Sequence, residues 1–172
     1  MNEDQLYDLI NQLNAKEVIR ESSKSIKWHA CQLIEKINDI SVFDILIKII
    51  KENQQKKNKN IRNAAYYIIG IVLKHNFSNE VCQFLIHQLE KEEDKNIISN
   101  ILSLLSNIVI PYYIDIRIIA TLAKHDKWQI RNNAIIALGS SASKISREAL
   151  LYYINQDDEK NINMRLSMQI VH

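Results

Sequence analysis

Residues 129–141 read QIRNNAIIALGSS, and four other stretches of the chain repeat their pattern without a gap. These are 25–37 (SIKWHACQLIEKI), 60–72 (NIRNAAYYIIGIV), 96–108 (NIISNILSLLSNI) and 161–172 (NINMRLSMQIVH). Their anchors, Ile26, Ile61, Ile97, Ile130 and Ile162, are spaced 35, 36, 33 and 32 residues apart. Four residues after each anchor come Ala30, Ala65, Ile101, Ala134 and Leu166, and eight after it Ile34, Ile69, Leu105, Leu138 and Ile170. At about 100° per residue, positions 0, 4, 7 and 8 form one stripe of a helix. Near-regular self-similarity of this length marks a repeat architecture.

Each anchor segment (helix B) is preceded by another amphipathic segment (helix A), near 4–14, 41–53, 78–92, 112–125 and 143–155. Ser41 and Ser78 stand where N-caps belong, and Pro111 where a helix can begin with proline. A lone pair of helices cannot bury both apolar faces. About five hairpins should therefore stack into an all-α solenoid occupying residues 1–172 as one domain. The B helices are expected near 25–37, 60–75, 96–107, 129–139 and 161–171. The segment 53–60 (NQQKKNKN) reads as a solvated loop within it.

Composition agrees. Two Gly and one Pro in 172 residues exclude most β-rich folds, which need a turn about every 8–12 residues. The abundance of Ile, Lys and Asn suits AT-rich coding and a bacterial source. The opening MNEDQLYDLI is acidic and amphipathic, unlike a signal peptide, and 97–119 is too interrupted by polar residues to span a membrane. A cytoplasmic protein without membrane attachment is the expectation.

The unit from Asp126 through Ile130-Arg131, Ala134 and Gly139 resembles the HEAT-repeat signature: an acidic turn, an aliphatic-Arg pair, Ala three residues on, then a small-aliphatic-Gly step. Ile61-Arg62, Ala65 and Gly70 match it again. The resemblance implies a right-handed α-α superhelix of HEAT-like, armadillo-like hairpins. It also implies a structural ladder of Lys27, Arg62 and Arg131, with Asp94, Asp126 and Asp157 or Asp158 as available acids. Ile98 and Asn163 depart from the pattern where repeats three and five should carry the basic residue.

For function, the resemblance points to a protein-recognition scaffold or adaptor that binds its partner on the concave face lined by B helices. Positions 2, 6 and 9 after each anchor point away from the core stripe. The candidate partner-binding residues are accordingly Trp28, Asn63, Tyr67, Ser103, Asn132 and Ile136. Position 9 adds small residues, Gly70, Ser106 and Gly139, where a partner could approach the backbone. Trp28, Tyr67 and Ile136 are the apolar anchors, a residue class that dominates interface energetics.

The alternative is nucleic-acid binding, because some alkylpurine DNA glycosylases are built from HEAT-like repeats. They carry a basic concave surface, tryptophans that contact the nucleotide and an essential carboxylate. Trp28 and Trp128 with Lys24, Lys27, Lys127 and Arg131 fit the first two features. Gln32 and Asn132 stand where the carboxylate would be sought. Net charge alternates along the chain: −2 over 1–40, +5 over 41–76, −3 over 77–126 and +2 over 127–172. Such blocks do not give a continuous phosphate track.

No catalytic residue, cofactor or metal site is expected. His29, His75, His87, His125 and His172 form no H-x-x-x-H pair, and Cys31 and Cys82 are too far apart for a metal-ligand spacing. The basic block Lys48, Lys51, Lys56, Lys57, Lys59 and Arg62 reads as a solvated segment, with an acidic partner as the functional alternative. In each doublet Tyr66-Tyr67, Tyr112-Tyr113 and Tyr152-Tyr153, one ring should face the core and the other the surface. The last repeat still presents Ile162, Leu166 and Ile170, so its edge should be covered by further chain, another copy or a partner.

Overall fold

The structure, a computed structural model, describes residues 1–18 and 22–155. Among the described residues the regular secondary structure is helical, with no strand and one isolated parallel bridge between Ile110 and Ser141. They form two compact units divided between Phe77 and Ser78.

The first unit holds α1 (Glu3–Leu13), α2 (Ile26–Ile34), α3 (Val42–Glu52) and α4 (Lys59–His75). A capping box opens α1: Asn2 accepts the Gln5 N–H at 2.9 Å, and the Gln5 side chain accepts the Asn2 N–H at 3.0 Å. Ser25 caps α2 by accepting the Trp28 N–H at 3.1 Å. Helix α1 packs on α2 and α4, α3 packs on α4, and α2 also meets α4. Between them lie Leu6, Ile10, Ala30, Ile34, Leu46, Ile49, Ala65 and Ile69, all fully buried.

The second unit holds α5 (Asn79–Lys91), α6 (Lys95–Leu105), α7 (Arg117–Leu122), α8 (Trp128–Gly139) and α9 (Lys144–Asn155). Helices α5 and α6 pair, as do α7 and α8. Neighbouring hairpins meet through α6 with α8 and α5 with α7, while α9 packs on α8 and α7. Within this unit, A thus packs on A and B on B.

The stripe at positions 4 and 8 is buried in all four described repeats: Ala30, Ala65, Ile101 and Ala134, then Ile34, Ile69, Leu105 and Leu138. Position 0 is buried at Ile97 and Ile130, half-buried at Ile61 and 49% exposed at Ile26. Leu33, at position 7, is 51% exposed, whereas Ile68 and Ala137 are buried. One flank of the α2 stripe thus faces solvent.

Other sequence expectations are corrected. Helix α7 starts at Arg117, not near Tyr112. Ile110 is held extended by donating its N–H to the Ser140 carbonyl at 2.8 Å, and Pro111 then begins a turn closed by the Ile114 N–H on the Pro111 carbonyl at 3.1 Å. Tyr112 and Tyr113 are therefore both exposed on this turn, whereas Tyr66 and Tyr153 are buried and their neighbours are not. Ser78 caps α5 by accepting the Val81 N–H at 3.3 Å. Ser41 caps nothing, because its N–H and O–H both go to Asp39 Oδ1, at 3.0 and 2.7 Å. The segment after α3 is partly inside the fold: Asn53 is buried, and Arg62 of the basic block is 4% exposed. The fifth B segment and its apolar edge lie outside the described residues.

Candidate interaction face

The outward face begins with helix geometry. Positions 4 and 8 point to the core, so positions 2, 6 and 9 project from the opposite side. None of these positions is buried in any described repeat. In the first unit they are Trp28, Gln32 and Glu35 on α2, with Asn63, Tyr67 and Gly70 on α4. In the second unit they are Ser99, Ser103 and Ser106 on α6, with Asn132, Ile136 and Gly139 on α8. The twelve residues include no Lys or Arg and a single carboxylate, Glu35.

Trp28 is 43% exposed, with its ring edge-on to His29 at 5.0 Å. Tyr67 is half-buried and donates its hydroxyl to Cys31 Sγ at 3.6 Å. Burial, then that bond, then the nearby Cys31 and Glu35 push the Tyr67 phenol up to about 12, so the ring is a neutral hydrogen-bonding group. Below it, His75 Nε2 lies 3.8 Å from Glu35 Oε2. Ile136 is 38% exposed, Ser103 is exposed, and Asn63 and Asn132 are half-buried.

Side-chain bonds between successive B helices hold each face in register. Tyr67, at position 6, reaches Cys31, at position 5. Asn133, at position 3, donates to the carbonyl and hydroxyl oxygens of Ser99, at position 2, both at 3.0 Å. Ser140, at position 10, donates to the Ser106 carbonyl, at position 9, at 2.9 Å. In every case the donor stands one step further along its helix than the acceptor, the same stagger in both units. Sequence reasoning missed these rungs. Their only signal is polar residues one step out of phase between copies, which the apolar stripe does not reveal.

The arginines expected in the ladder bond to backbone carbonyls of their own hairpins. Arg62 Nη1 donates to the carbonyls of Asn53 and Gln55, both at 2.9 Å. Arg131 Nη1 donates to the carbonyls of His125, at 2.8 Å, and Asp126, at 3.3 Å. Each arginine thus ties its B helix to the turn before it. Asp94 caps α6, accepting the N–H groups of Asn96 at 2.9 Å and Ile97 at 3.3 Å. Asp126 is exposed, and Arg131 reaches it through the backbone carbonyl. Lys27 is exposed, and its backbone N–H donates to Glu17 Oε1 at 3.2 Å.

Cys31 is half-buried. Cys82 is buried, and burial pushes its thiol up to about 11. Among the described residues, no three His, Cys, Asp or Glu side chains converge to hold a metal ion. No helix among them is long and apolar enough to cross a membrane.

No family model and no curated protein sequence matches the chain. Among solved structures, it is similar to an engineered protein whose crystal structure came from the Northeast Structural Genomics Consortium. The TM-score is 0.53 at 13% identity, over 98% of this chain and 78% of that one. Identity this low speaks for a shared helical fold and nothing further.

Proposed function

We propose that this chain is a HEAT-like α-solenoid scaffold that binds a protein partner on the outward faces of its B helices, in the cytoplasm of a bacterium. The observation that carries the reading is the chemistry of positions 2, 6 and 9. They are unburied in every described repeat and display Trp28, Tyr67 and Ile136 among Asn, Ser and Gln, without a cation. A polyphosphate partner needs several neutralising contacts along one face, and these positions supply none in either unit. Aromatic and aliphatic anchors within a weakly charged polar surround are what a protein partner uses.

The test is site-specific photo-crosslinking in the native host. A photoreactive amino acid replaces Trp28 or Ile136 on the B-helix faces, or the exposed Asp44 on α3 as a control. The reading expects a discrete protein adduct from positions 28 and 136, and none from 44. Equal labelling at all three, or adducts to nucleic acid at 28 or 136, would contradict it.

A further inference from the structure

On the A-helix side of the second unit, a groove of about 540 Å³ runs between α5 and the segment leading into α7. That size falls in the range of about 300–1,000 Å³ typical of ligand sites. Its floor is aliphatic: Ile86 and Ile114 are buried and Ile118 is half-buried. Its rim carries His87, Glu90, Asp115 and Arg117, with the Gln83 amide and the Thr121 hydroxyl beside them.

The rim holds two carboxylates, one guanidinium and the His87 imidazole. The Arg117 guanidinium is forked onto Asp115, with Nε at 3.0 and 2.8 Å from the two carboxylate oxygens and Nη2 bonded to Oδ2. That pair neutralises itself, with the Arg117 fork occupied by Asp115. Glu90, on the opposite wall, is bonded to the His87 imidazole at 3.1 Å, and its side chain is largely open to solvent. Glu90 also lies within electrostatic reach of Arg117. Two carboxylates thus face one guanidinium across an aliphatic floor.

We propose that this groove receives a short segment of a partner protein bearing an aliphatic side chain next to a lysine or arginine. The aliphatic group lies over Ile118 and the edges of Ile86 and Ile114, and the cation lies against Glu90. The site is independent of the B-helix faces and would give the scaffold a second, charge-selective contact. The backbone amides of such a segment also find the Gln83 amide and Thr121 hydroxyl at the groove's edge.

The test is a methyl and amide NMR titration of the full chain with acetyl-Leu-Lys-amide, acetyl-Leu-Gln-amide and acetyl-Leu-Glu-amide. The lysine peptide should give saturable shifts at the Ile86, Ile114 and Ile118 methyls. The glutamine peptide should bind about fivefold more weakly, as loss of one exposed ion pair predicts, and the glutamate peptide more weakly still. Glu90→Gln should bring the lysine peptide to the level of the glutamine peptide, while Glu80→Gln, outside the groove, leaves it unchanged. No saturable shift at the three isoleucines, equal affinity for all three peptides, preference for the glutamate peptide, or indifference to Glu90→Gln would overturn the proposal.

Discussion

The smallest side chains set how closely the helices stack. Ala134 is fully buried on α8, which packs against α6, so a larger residue there has nowhere to go. Ala134→Leu should destabilise the protein by about 1–3 kcal/mol through overpacking, read from urea unfolding. An unchanged midpoint would mean the repeat register is wrong. Arg62 works by the opposite logic, as a large charged group inside the fold. Arg62→Met preserves much of the aliphatic volume but removes the donor from the Asn53 and Gln55 carbonyls, and should cost about 1–3 kcal/mol. The acid limb of stability should show Asp39. Its carboxyl is lowered to about 2 by the Ser41 hydroxyl bond first and the N-terminal ammonium second. A depressed carboxylate stabilises the fold above its unfolded value near pH 4 and loses that contribution as pH falls through about 2. Asp39→Asn should therefore lower stability at pH 5 and much less at pH 2, measured by urea melts at both.

Among the helices, the two serines that look alike in sequence separate cleanly. Ser78 accepts the Val81 N–H and Ser41 accepts nothing, so Ser78→Ala should cost about 1 kcal/mol and Ser41→Ala less than about 0.5 kcal/mol. Thermal unfolding of the two variants side by side checks the contrast. The difference was invisible in sequence, because both precede an apolar-periodic run. What decides it is Asp39, two residues before Ser41, which takes both of that serine's donors. The apolar stripes of α4, α6 and α8 were legible for a simple reason: each B helix is packed on one broad side, and burial follows the 3.6-residue period. Helix α2 departs from the rule at Ile26 and Leu33, which stay about half exposed. Helix α7 was misjudged at its start because the Ile110–Ser140 bond acts across 30 residues, and local pattern carries no trace of it.

At the scale of the chain, the repeat pattern predicted helix hairpins, and α1 packs on α2, α3 on α4, α5 on α6 and α7 on α8, each pair within one unit. The outward positions were also legible, since they follow from the buried ones by rotation about the helix. The rungs that fix the stagger were not, nor was the groove between α5 and α7, because both depend on which surfaces meet after folding. The proposed function rests on the composition of each unit's outward face, and the residues to remove are the two aromatics on that of the first unit. The most direct test is affinity purification from the native host with wild type and the Trp28→Ala/Tyr67→Ala variant, both confirmed folded by circular dichroism. The account predicts a protein that co-purifies with wild type and is depleted at least about tenfold with the variant, as expected when two anchor residues of an interface are truncated. Equal recovery of that protein by both forms, or co-purification of nucleic acid in its place, would contradict it.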